Sequence, residues 1–181
     1  MQGCDSLTST KVGKQSLLQW QQQCRQYLLT IEAQFDPSHQ LDHIDRVLQN
    51  ALLLLKTEPG DIAIILPAVM LHDCKPIAKN SPQRSQASTL SAQHATALLR
   101  KWQYPEHYLD SISHAIAGHS YSANLPTDTI EAKIVQDADR LDSLGAVGIA
   151  RTCMLGGRFS SRLYHAADPY ARNRGLDDKA Y

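Results

Sequence analysis

Neither sign of charge prevails in this sequence: 18 lysines and arginines balance 18 aspartates and glutamates over 181 residues. Without a net field, nothing draws the chain onto an extended nucleic acid or an acidic membrane, although a local pocket could still hold a small anion. Cysteine is sparse and scattered. Cys4, Cys24, Cys74 and Cys153 have neither the close pairing of a zinc knuckle nor the density of a disulfide framework, and they read as reduced thiols of a cytoplasmic protein. Long apolar runs are missing: the longest, Ile62–Leu71, is about half a membrane span. No secretory leader is expected, because residues 1–14 are mostly polar and hold no apolar core segment. Strand-like alternation, internal repeats and low-complexity tracts are likewise absent.

What the sequence does contain is helical spacing. Leu17, Leu18, Trp20, Tyr27, Leu28 and Ile31 lie among glutamines in an amphipathic pattern that Asp36-Pro37-Ser38 interrupts. Leu41, Ile44, Val47, Leu48, Ala51, Leu52 and Leu55 recur at steps of three and four and stop before Pro59-Gly60. Asp61 is placed to cap the apolar run that follows, and Pro67 inside that run predicts a kink. Further helices are predicted over 88–102, 105–117, 128–144 and 145–157, with Gly118 as a stop that puts His119 in a loop. The reading is all-α: residues 1–14 a flexible leader, 15–181 one domain. The last residues, Leu176–Tyr181, carry no helix-stop signal, so the biological chain is expected to continue.

His72-Asp73, at the polar end of the apolar run, is the strongest chemical signal. An imidazole and a carboxylate there are costly to bury unless something binds them, and together they suit Mn, Fe, Co, Ni or Zn. His43 and Asp139 complete a set of two histidines and two aspartates that three helices can bring to one point. Such a set leaves coordination positions open, which is the catalytic rather than the structural pattern. On a helix His43 and Arg46 share a face, as do Asp139 and Asp142. Arg46, Lys75, Lys79 and Arg140 are candidates to hold a phosphate beside the ion. His114 and His119, five residues apart, would diverge on one continuous helix, but a break at Gly118 could turn both into the cleft.

Together these residues carry a family likeness. His43–Val47, Leu71-His-Asp73, Lys79–Arg84, His114–His119 and Glu131–Asp142, continuing through Gly145–Arg151, resemble the HD-domain metal-dependent phosphohydrolases, and within them the small stand-alone bacterial YedJ-like branch. The likeness runs from about Ser38 to the end. It implies a compact helical fold around one divalent ion held by His43, His72, Asp73 and Asp139, with Mn active in vitro and Mg, Fe, Co or Ni compatible. It also implies hydrolysis of a phosphoester or phosphoanhydride in a small phosphorylated substrate, expected to be a nucleotide. Asp73, His114 and Arg46 are the expected catalytic groups, and Lys75, Lys79, His119 and Arg140 the substrate-binding ones. Two departures stand out: His39-Gln40 replaces the family's frequent His-Asp, and no acidic residue follows Asp73 as a water activator. The second keeps an alternative open, a catalytically weak module that binds metal and nucleotide. Oligomeric state is left undetermined by the sequence.

Overall fold

The apolar run Ile62–Leu71 becomes the central helix of the molecule, with every side chain from Ala63 to Leu71 buried. The computed structural model describes residues 14–35, 40–77, 81–160, 164, 166–170 and 172. Along them run α1 (Lys14–Ile31), α2 (Leu41–Leu54), α3 (Ile62–Leu71), α4 (Ala87–Lys101), α5 (Leu109–Gly118), α6 (Ile130–Leu141) and α7 (Gly145–Phe159). Short 3-10 turns at Glu32–Gln34, Arg84–Gln86 and Glu106–Tyr108 join some of them. Among the described residues no strand forms, and the fold is all-α. The expected leader and the chain after Arg172 lie outside the described residues, except that Lys14 begins α1. The break at Asp36-Pro37-Ser38 also lies outside them.

A helix that is apolar all round has no face to offer water and must be enclosed. Helices α1, α2, α4, α5 and α6 all contact α3, and α5 also packs on α4 and α6. The amphipathic α2 turns Leu41, Ile44, Val47, Leu48 and Ala51 inward, as its three-and-four spacing predicts. Asp61 caps α3 by accepting the Ala63 amide at 2.9 Å, and Thr129 caps α6 by accepting the Ala132 amide at 3.2 Å. Pro67 is carried inside α3 without ending the helix. Having no N–H, it leaves the Ala63 carbonyl without its helical partner. The buried Tyr104 hydroxyl donates to that oxygen at 2.5 Å.

Gly118 stops its helix as expected. It closes α5, and His119 after it is the cap, in a turn that keeps right-handed angles (φ −67°, ψ −34°). Glycine is required there by crowding: a Cβ would lie 2.9 Å from Thr127 Cγ2 and 3.4 Å from the Pro126 carbonyl oxygen. Gly148, in the first turns of α7, is tighter still, since its Cβ would fall 2.1 Å from the Ser143 oxygen. Close backbone approach accounts for both.

Candidate metal centre

Four helices deliver the site. His43 sits on the inward face of α2, beside Ile44 and Val47, and is wholly buried. His72 is the residue that ends α3, and His119 the one that ends α5. Carbonyls in the last turn of a helix lack amide partners. Both histidines use this: His72 Nδ1 donates to the Val69 carbonyl at 2.8 Å, and His119 Nδ1 to the Ile116 carbonyl at 2.7 Å. Asp139 and Asp142 come from the last turn of α6 and the residue after it.

The proton positions follow from the acceptors. A carbonyl can only accept, so the Nδ1 atoms of His72 and His119 carry hydrogen. His43 Nδ1 lies 2.7 Å from Asp142 Oδ2. Burial alone would raise the Asp142 pKa, but hydrogen bonds from His43 and Arg46 and the Arg151 charge outweigh it and hold the carboxyl far below the usual range. Asp142 is therefore ionised, and His43 Nδ1 is a donor too. Burial is also the main reason that the pKa of His43 falls, with the Asp142 hydrogen bond opposing and His72 reinforcing the shift. Burial, and then His72, lowers that of His119. Burial thus favours the neutral imidazole at both His43 and His119, and with hydrogen on Nδ1 the lone pair of each lies on Nε2.

Those lone pairs converge. His43 Nε2 and His72 Nε2 are 3.3 Å apart, and the Nδ1 atom of each ring is already bonded elsewhere, to Asp142 and to the Val69 carbonyl. Two neutral rings bonded in that way would turn lone pairs toward each other, an arrangement that a cation relieves, so the donor chemistry fits a divalent ion. One ligand atom each from His43, His72 and Asp73 lie within 4.8 Å of one another. Asp139 Oδ1 is 3.4 Å from His43 Nε2 and 3.9 Å from His72 Nε2. Asp73 presents Oδ2 to His72 Nε2 and Oδ1 to His119 Nε2, each at 3.7 Å. The three imidazoles stand edge to face in a row, with centroids 5.4 and 4.9 Å apart.

The other residues named from sequence lie as follows. Arg46 is engaged with Asp142 (Nε to Oδ1, 2.6 Å; Nη2 to Oδ2, 3.2 Å) and with Asp42 (Nη1 to Oδ2, 2.9 Å). His114 Nε2 accepts the Asp128 amide at 3.3 Å. Because α5 does not break before it ends, His114 and His119 point about 140° apart, and only His119 joins the cluster. Lys75 is exposed just beyond Asp73, with its amide donating to Ser91 Oγ at 3.3 Å. Arg140 is exposed on α6. Lys79 and His39 lie outside the described residues.

Sequence reasoning missed Arg151. Its Nη1 reaches Asp142 Oδ2 at 2.6 Å and the Asp142 carbonyl at 3.2 Å. No spacing rule on one helix joins residues nine apart across the turn between α6 and α7. The half-buried Gln136 was also missed; its Nε2 donates to the Gly118 carbonyl at 2.8 Å and ties α6 to the end of α5 next to His119.

Comparison with known proteins places this arrangement in context. The family model of the HD domain matches residues 41–144, which run from α2 to the turn before α7. The uncharacterized protein YpgQ of Bacillus subtilis is 31% identical over 148 residues, covering 79% of this chain and 69% of its own. The crystal structure of Bacillus subtilis YpgQ in complex with ADP superposes with a TM-score of 0.65 at 30% identity, over 84% of this chain and 73% of that one. An HD-superfamily hydrolase from Bacillus thuringiensis superposes with a TM-score of 0.61 at 30% identity, over 83% and 72% of the two chains.

Proposed function

Since the chain belongs to the HD-domain family, we propose that it is a metal-dependent phosphohydrolase acting on a phosphoester or phosphoanhydride bond of a nucleotide. The observation that carries this reading is the pair of Nε2 atoms, on His43 and His72, facing each other across 3.3 Å beside the Asp73 and Asp139 carboxylates. His43, His72, Asp73 and Asp139 would hold one divalent cation, with Mn the ion of choice in vitro. Such a cation supplies Lewis acidity and positive charge where a phosphoryl oxygen sits.

The protein's own groups then have separate tasks. Asp73 accepts a hydrogen bond from the attacking water and aligns it with phosphorus. Its Oδ1 is 3.7 Å from His119 Nε2, longer than a direct hydrogen bond, so both groups can turn to one substrate oxygen or water beside them. His119 receives or returns a proton at Nε2, with Nδ1 fixed on the Ile116 carbonyl. Lys75, exposed beyond Asp73, meets the distal phosphate. A nucleotide is favoured because the similar YpgQ was crystallised with ADP. The described cysteines, Cys24, Cys74 and Cys153, are free thiols, which suits a cytoplasmic setting. No helix among the described residues is long and apolar enough to cross a membrane.

One observation favours a second reading, a module that binds metal and nucleotide with little turnover. Residues 74–77 contain no carboxylate to activate water. Cys74 cannot serve instead, because burial and then the Asp73 charge push its thiol pKa far up. Release of phosphate and pyrophosphate from a panel of nucleotides and sugar phosphates, with added Mn(II), separates the two. The hydrolase reading expects product that disappears in Asp73→Ala. A silent panel, together with nucleotide-induced thermal stabilisation, would overturn it in favour of the module.

A further inference from the structure

Asp142 is 5% exposed and receives hydrogen bonds from three side chains on two helices. His43 Nδ1 approaches Oδ2 at 2.7 Å, Arg46 grips both oxygens, and Arg151 Nη1 reaches Oδ2 at 2.6 Å and the main-chain carbonyl at 3.2 Å. His43 and Arg46 lie on α2 and Arg151 on α7, while Asp142 itself follows α6. A carboxylate with one acceptor site given to an imidazole and the others to two guanidinium groups can neither rotate nor change partner without uncovering a buried charge.

We infer that Asp142 is the positioning residue of the metal centre, held by Arg46 and Arg151, and that α7 is thereby an arm of that centre. Asp142 keeps hydrogen on Nδ1 of His43 and so fixes the lone pair on Nε2, where it faces His72 Nε2. An imidazole whose outer nitrogen is bound to a fixed carboxylate is oriented and made more basic toward a metal. Arg151 carries the effect from α7. Its neighbours Ile149 and Met154 on α7 are exposed, whereas its own guanidinium reaches the Asp142 carboxylate. The inference rests on the metal site proposed above, and the experiment separates failure of the two.

Mn(II) is titrated into the protein, D142N and R151M with free ion read by electron paramagnetic resonance. In parallel, the downfield Nδ1 proton of His43 is followed by NMR in the metal-free proteins, a signal that a merely structural role would not move. The expected result is a Kd for Mn(II) weakened roughly 10- to 100-fold in D142N, with the His43 resonance lost. R151M should show a smaller weakening and a shifted resonance. Wild-type affinity and an unmoved resonance in D142N would overturn the inference. If D142N does not fold, R151M decides alone, and wild-type values in it overturn the inference. A parent protein that shows the resonance but binds no Mn(II) contradicts the metal site and not the role of Asp142 in setting the tautomer.

Discussion

His43 Nε2 and His72 Nε2 face each other at 3.3 Å, and each ring has already committed its Nδ1 hydrogen, His43 to Asp142 and His72 to the Val69 carbonyl. Two buried acceptors pointed at one another are an arrangement that a cation stabilises. The metal-free protein should therefore fold, since its core of α3 and the surrounding helices does not depend on the site, but it should gain stability with the ion. At an ion concentration of 100 times Kd the gain is about 2.7 kcal/mol. Thermal melting with Mn(II), and again after chelation, checks this: a reversible rise is expected.

His119→Gln separates chemistry from binding. The side chain lies beside Asp73 and not between His43 and His72, so Mn(II) affinity should stay near that of the parent. Turnover should fall by about 100-fold or more, the range for losing a proton-transfer group. Steady-state kinetics beside a metal titration read both effects.

Tyr104→Phe tests the account of Pro67. Removing the hydroxyl leaves the Ala63 carbonyl buried without a donor, a loss of about 1–3 kcal/mol. Denaturant unfolding should show that loss, with Mn(II) binding unchanged.

His94 provides a pH test away from the metal ligands. Its Nε2 is 2.6 Å from Tyr27 Oη, and burial, then the charge of Lys75, lowers its pKa from the ordinary 6.5. The unfolded chain thus takes up the proton first as pH falls. The stability contribution is complete above pH 6.5 and declines as pH drops from there through the lowered folded value. His94→Gln should flatten the Tm profile between pH 7 and pH 5 relative to the parent; identical slopes would contradict the assignment.

Much of this was legible in the sequence because local rules governed it. The apolar run to Leu71, the spacing of α2 and the Asp61 cap are decided by neighbours within a few residues, and they formed as predicted to within a residue or two. His43 and His72 were legible as polar groups that burial does not tolerate without a partner, and Asp73 and Asp139 as the carboxylates the helices could bring beside them. Gly118 was legible as the stop of α5, but the crowding that requires glycine there was not, because it comes from Pro126 and Thr127 in the following loop. The contact of His114 with the Asp128 amide was not legible either, because it depends on how the chain returns after α5. Arg151 was invisible for the same reason: its partner is set by how α7 leaves α6, and no periodicity encodes that.

The central claim is that His43, His72, Asp73 and Asp139 form one site for a divalent ion, and the most direct test is a Mn(II) titration of the parent protein, His72→Ala and Asp139→Asn, read by electron paramagnetic resonance. The account predicts one tightly bound ion per chain in the parent and a large loss of affinity in both variants, with the fold retained. A parent protein that leaves all the Mn(II) free, or variants that bind it as tightly as the parent, would contradict it.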